Sequence, residues 1–235
     1  MTYIVGIDPG EKGAVAIIPA YSFRETIAMP MEHNTMSDVY LYLSEMRGGS
    51  VYQRAKPTTP IKKDLTYIKS RLPAIPKKDN SDTSMEVYLE QPGQIMVNRL
   101  RDGKDNTAGL LAGMSASRKL GRSVGQWEGI CTALHILPTL VAPKKWQGKL
   151  GCPTRGDKNI SKNLAIRVFP FLTDGTGKST ITHGTADALL IALYGYLQTA
   201  NPNSIPRSVK DNINLWGRAR LPARQGDLKW QNIKL

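Results

Sequence analysis

The chain predicts an α/β fold: a mixed five-stranded sheet flanked by helices, with a basic insertion and a basic C-terminal tail. Three observations lead there. The first apolar runs are short, rich in β-branched residues and separated by turn signals, as in an antiparallel meander. Later strand-like runs alternate with helical patterns, which suits helical crossovers onto the same sheet. The charge excess falls in two segments outside these patterned regions, leaving a neutral core.

In chain order, residues 2–8, 13–18 and 23–29 read as three strands, the first two joined through Pro9-Gly10-Glu11-Lys12-Gly13 as a hairpin. Ser37 or Asp38 can cap a helix through about Met46, with Val39, Leu41, Leu43 and Met46 as its apolar positions and Gly48-Gly49 as its stop. Residues 50–82, rich in Pro, Lys, Ser and Thr, read as an excursion from the core. Residues 85–90 make a fourth strand, turned away by Pro92-Gly93.

Gly109 to Leu137 is helical in pattern, with Gly109, Gly113, Ser117, Gly121, Gly125 and Gly129 at every fourth position. Each interior glycine costs a helix about 1 kcal/mol against alanine. Either something approaches this stripe closely, a second helix or a DNA backbone, or the glycines break the segment into loop plus helix. Arg118, Lys119 and Arg122 in the same stretch exclude a membrane-embedded glycine motif. Leu140–Ala142 make a fifth strand ended by Pro143. Asp157 can cap a helix through Val168, residues 172–180 form a loop, and a strongly apolar helix runs from about Thr185 to Leu197. Gly175-Thr176-Gly177-Lys178-Ser179 lacks the spacing and the preceding strand of a phosphate-binding loop, so no nucleotide cofactor is expected. Pro202 and Pro206 open an irregular tail. This is the element order of a ribonuclease H-like fold, with residues 1–200 as the domain and 201–235 as a basic extension.

The net charge is +13. Residues 47–78 carry nine Lys/Arg against Asp64, and residues 201–235 carry seven against Asp211 and Asp227; the remainder is balanced, with 16 basic and 16 acidic groups. Such basic segments attract nucleic-acid phosphates with salt-dependent affinity, and Tyr52, Tyr67, Trp216 and Trp230 within them can stack on bases or pack on the core. No run approaches the roughly eighteen apolar residues of a membrane span. Asp8 interrupts the first apolar run and no basic segment precedes it, unlike a secretory signal. The expected location is therefore cytoplasmic, the host cytoplasm if the source is viral. Cys131 and Cys152 have no metal-ligand spacing, and Cys131 sits in an apolar helical pattern that suits a core residue.

Asp8 closes the first strand, Glu90 closes the fourth, and Asp187 stands in the last apolar helix. Carboxylates at strand ends cost stability unless neutralised, and a divalent cation is a common neutraliser. Inside a basic protein, metal-binding acids suggest phosphodiester chemistry, in which two ions about 4 Å apart activate a water and stabilise the leaving oxygen. Each residue alone has a plainer role as a turn or helix-terminus residue; their occurrence together is the signal. His183 lies four residues before Asp187, which puts both on one helix face if the helix reaches back that far. Its imidazole can bind a metal or move a proton.

Several short segments, in order, resemble RuvC-like Holliday junction resolvases, especially the phage-type branch. They are Ile4-Val5-Gly6-Ile7-Asp8-Pro9-Gly10 with Gly13-Ala14-Val15-Ala16, then Val87-Tyr88-Leu89-Glu90-Gln91-Pro92 and Leu120-Gly121-Arg122-Ser123-Val124-Gly125-Gln126-Trp127-Glu128-Gly129. Val141-Ala142-Pro143-Lys144-Lys145-Trp146, Asp157-Lys158 and Gly184-Thr185-Ala186-Asp187-Ala188-Leu189 complete the series. The resemblance spans about residues 3–197 and leaves 50–82 and the tail uncovered. It implies a ribonuclease H-like core, a homodimer and Mg2+- or Mn2+-dependent nicking of branched DNA, with two ions per site. Asp8, Glu90 and Asp187 would be the metal-binding acids. His183 stands where the phage-type pattern usually has an aspartate and is kept as the fourth catalytic and metal-binding residue. A nitrogen ligand there favours Mn2+ over Mg2+. Two sites facing one junction call for a two-fold dimer, for which the stripe from Gly109 to Gly129 is the candidate contact. Arg99, Arg101, Lys104, Arg118, Lys119 and Arg122 flank it as DNA contacts, with Lys144, Lys145 and Lys149 as further candidates. The alternatives are a general flap nuclease or ribonuclease on the same fold, or a junction-binding protein without catalysis.

Overall fold

The computed structural model describes residues 2–31, 36–47, 83–91, 107–153, 157, 159–200 and 205–219, with residues 107–112 and 215–219 described as backbone only. The insertion at 50–82, the tail beyond 219 and the candidate DNA contacts Arg99, Arg101 and Lys104 lie outside the described residues.

Five strands form one mixed sheet. They are β1 (Thr2–Asp8), β2 (Ala14–Pro19), β3 (Ile27–Pro30), β4 (Ser84–Glu90) and β5 (Thr139–Val141), in the order β3-β2-β1-β4-β5. The meander β1-β2-β3 is antiparallel. β4 joins β1 in parallel, with Gly6 opposite Tyr88 and Ile7 opposite Leu89, and β5 joins β4 in parallel. The expected third strand is shorter than its apolar run, because Phe23–Glu25 form a 3-10 turn instead. Phe23 turns inward there, its ring stacked on Phe169 at 5.0 Å, and the chain can enter β3 only after Thr26.

The alternation of side chains along β1 and β4 divides the core. Tyr3, Val5, Ile7, Val87 and Leu89 face α1 (Met36–Met46) and the inner side of α2 (Thr107–Ala133), where Val39, Leu43, Trp127 and Cys131 are buried. Ile4, Ala16, Ile18 and Tyr88 face the opposite layer. That layer contains α3 (Pro143–Lys149), α4 (Asn159–Val168) and α5 (His183–Thr199). Both cysteines are buried, and burial pushes the Cys131 thiol up to about 11, which makes it unreactive.

α5 is apolar on nearly all sides because it lies flat across the sheet, with ten residues from Ala186 to Tyr196 buried apart from Asp187. Two glycines set how close it lies. A Cβ at Gly6 would run into the α5 backbone at Ala188 and Ala192, and one at Gly195 would run into the Tyr88 ring. Thr182 caps the helix: its hydroxyl accepts from the Thr185 N–H at 3.3 Å, and its own N–H donates to Thr185 Oγ1 at 2.8 Å.

One element decides between the sequence alternatives, and two depart from the sequence expectation. α2 is one unbroken helix of 27 residues, about 40 Å long, so its glycines do not divide it. Gly121, Gly125 and Gly129 face open space, and among the described residues no other part of the chain covers them. α3 follows β5 directly, with Pro143 as its first residue; proline ends the strand and also starts the helix, since its missing N–H costs nothing in a first turn. The tail holds a helix where the sequence predicts an irregular segment. Residues Arg207–Ala219 form α6, which packs on α4, with Val209 buried and Asn212 Nδ2 donating to the Arg167 carbonyl at 2.9 Å; Ile205, just before the helix, is buried too. Its apolar positions recur at helical spacing, a signal hidden by the net charge of the segment. Among the described residues, no helix is long and apolar enough to cross a membrane.

Candidate metal centre

Asp8 and Glu90 end neighbouring parallel strands at the same edge of the sheet. Asp8 follows Ile4 and Gly6 by twos, and Glu90 follows Glu86 and Tyr88. Both therefore emerge on the face that carries α5. α5 begins at His183, so the fold brings the spacing of His183 and Asp187 onto one helix face, one turn apart, across that same edge. His183 is exposed. Asp187 is half-buried, with Oδ1 buried.

The turn after Asp8 is held from several sides. Asp8 Oδ1 accepts from the Gly10 N–H at 2.9 Å, and the Gly13 N–H donates to the Gly10 carbonyl at 2.9 Å. The Ser123 hydroxyl of α2 donates to the Pro9 carbonyl at 2.6 Å. The carbonyl of Lys12 abuts Gly184 in the first turn of α5, where no side chain would fit. Asp8 is thereby tied to both flanking helices.

Glu90 is a strongly perturbed acid. Burial is the main cause, the neighbouring Asp8 adds to it, the hydrogen bond from Trp146 works against it, and Asp187 contributes last; together they push its carboxyl up to about 8. Two aspartates thus act electrostatically on one glutamate, each from a different element. At neutral pH and without a counter-charge, the cheapest relief is for Glu90 to hold a proton; a divalent cation relieves the same repulsion with all three acids ionised. The donors are carboxylate oxygens, which suit Mg2+ and Mn2+. Among the described residues, no three or more His, Cys, Asp or Glu side chains form a ready-made metal-ligand set. The oxygens stand as mutually repelling neighbours rather than a closed cage.

The described basic candidates stand on two helices. Arg118, Lys119 and Arg122 are exposed on α2, next to Ser123. Lys144, Lys145 and Lys149 stand exposed on α3, the helix that carries Trp146. Two contributors to the site carry little mark in the sequence. Trp146 Nε1 donates to Glu90 Oε2 at 3.0 Å, and Ser123 holds Pro9. A signal exists for the first: an indole N–H in an apolar setting needs an acceptor, and Trp146 follows the strand that pairs with β4. No such signal marks Ser123.

Comparison with protein-family models and with curated protein sequences finds no match.

Proposed function

We propose that the chain is a divalent-metal-dependent endodeoxyribonuclease of ribonuclease H-like fold, similar to the phage-type RuvC-like resolvases, that nicks four-way and other branched DNA symmetrically as a homodimer. One observation carries the reading: Asp8, Glu90 and Asp187, far apart in sequence, meet at one sheet edge closely enough that both aspartates raise the proton affinity of the glutamate. The strand order β3-β2-β1-β4-β5, with one antiparallel meander and two parallel additions, supports the fold assignment.

Asp8, Glu90 and Asp187 would hold Mg2+ or Mn2+, two ions in the full site, with His183 at the end of α5 as a fourth ligand or proton carrier. The bound cations supply an activated water and charge stabilisation at the leaving oxygen. The chain itself supplies position. The β1–β2 turn fixes Asp8 against α5, and α5 carries Asp187 to the strand ends. Exposed lysines and arginines of α2 and α3 would hold phosphates by charge without reading sequence. The basic segments at 47–78 and 201–235 add long-range attraction. Paired nicks require two such sites on one junction, which a two-fold dimer provides.

The deciding experiment offers purified protein a four-way junction, a linear duplex and an RNA–DNA hybrid, with Mg2+ or Mn2+. Paired symmetric nicks in the junction are the expected result. Cleavage of the hybrid alone would make the chain a ribonuclease, and tight junction binding without nicking under either metal would make it a binding protein.

A further inference from the structure

Trp146 is almost wholly buried, 1% exposed, in the core layer beneath α5. The one polar atom of its side chain is directed at a site carboxylate: the indole N–H donates to Glu90 Oε2 at 3.0 Å. The backbone around it is fixed. β5 pairs with β4 up to Val141 opposite Glu90, the Gln91 N–H donates to the Val141 carbonyl at 2.9 Å, and α3 starts two residues later. Four residues separate Trp146 from Val141, so the indole follows closely on the strand partner of the residue it binds.

Resting on the metal-nuclease reading above, we propose that Trp146 is a positioning residue that holds the Glu90 carboxylate in its metal-binding orientation. A carboxylate offers about four lone-pair directions, and an indole N–H takes one of them. Being a donor only, the indole cannot compete for the cation. A bare glutamate with three side-chain torsions would otherwise sample orientations away from Asp8 and Asp187. Groups that hydrogen-bond a metal ligand from behind typically govern affinity by about 10–100-fold.

The test measures metal binding directly, with no DNA present. Full-length protein is titrated with Mn2+ while free Mn2+ is followed by electron paramagnetic resonance. Two substitutions are compared: Trp146→Phe, and replacement of Trp146 by 3-benzothienylalanine, which exchanges the N–H for sulfur at nearly constant volume. Both should weaken Mn2+ binding by about 10-fold or more. In junction nicking, the Mn2+ concentration for half-maximal rate should rise by the same factor, while the rate at saturating Mn2+ stays within about threefold of the parent. If Trp146→Phe fails to fold, the benzothienyl protein decides. Parent-like Mn2+ affinity in a folded benzothienyl protein overturns the positioning role and leaves the nuclease reading standing. A parent that binds no Mn2+, or binds it no better than Asp8→Asn, overturns both.

Discussion

The carbonyl oxygen of Lys12 lies against the Cα of Gly184, in a space that any Cβ would invade. This approach joins the turn after Asp8 to the first turn of the helix that carries Asp187. Gly184→Ala must push backbone away from backbone, since neither side is a flexible side chain. Overpacking of this kind costs about 1–3 kcal/mol, or several degrees in Tm. Nicking should fall at least tenfold even below the melting transition, because the two aspartates move apart. Gly121→Ala is the control: nothing lies near its Cβ, so it should stabilise α2 by up to about 1 kcal/mol. Thermal melts of both variants check this, and a neutral Gly184→Ala would mean that the close approach does not set the site.

Asp8→Asn and Asp187→Asn preserve shape and remove a charge each. Junction binding, which depends on phosphate contacts elsewhere, should persist. Cleavage should fall by about three orders of magnitude or more, since metal-assisted charge stabilisation is worth several kcal/mol. Gel-shift and nicking assays on the same preparations separate the two effects, and an Asp8→Asn protein that cuts at the parental rate would refute the metal assignment.

The raised proton affinity of Glu90 gives a pH dependence of definite sign. Its folded-state carboxyl titrates near 8 against 4.5 ordinarily, so without metal the fold binds a proton that the unfolded chain releases. The resulting stability is fully present below about pH 4.5 and is lost as pH rises through 8, by up to about 5 kcal/mol. Metal-free protein should therefore melt progressively lower between pH 5 and 8, and Glu90→Gln should flatten that trend. Mn2+ must displace this proton, so its apparent affinity should climb over the same interval. Melting curves with and without Mn2+ test both statements; a flat metal-free profile in the parent would remove the basis for the repulsion among the three acids.

Much of this edge is legible in the sequence because each acid sits at a punctuation mark. Asp8 ends a β-branched run just before Pro9-Gly10, Glu90 ends the short run Val87-Tyr88-Leu89 before Gln91-Pro92, and Asp187 opens the apolar run of the last helix. Period-two alternation then puts Asp8 and Glu90 on one face once their strands are neighbours. Neighbourhood itself is a long-range fact that local pattern does not contain, and it comes from the parallel pairing of β1 with β4. The bond from Trp146 to Glu90 is hidden for the same reason, spanning 56 residues. The glycine stripe shows the opposite limit. Its period is clear, yet the helix is unbroken and the described chain leaves the stripe uncovered. The 3-10 turn at Phe23 escapes a local reading because packing on Phe169 overrides a strand-like sequence.

The tail serves two purposes that truncation can separate. Ile205 and Val209 are buried in the core, and Asn212 bonds the Arg167 carbonyl, so residues 205–213 belong to the folded domain. Beyond Ala219 the sequence still carries Arg220, Arg224, Lys229 and Lys234 against Asp227. Ending the chain after Ala219 should leave Tm within about a degree of the parent. It should weaken junction binding and reduce the slope of log affinity against log salt by up to about 3, one unit or slightly less for each phosphate no longer neutralised. Ending it after Ala200 should reduce the salt slope at least as much and, in addition, lower Tm, because two buried aliphatic side chains leave the core at about 1.5–3 kcal/mol each. Binding isotherms at several salt concentrations, read beside thermal melts, distinguish the contributions. Identical salt slopes in all three chains would restrict the tail to packing and shift the electrostatic work to the basic residues of α2, α3 and positions 47–78.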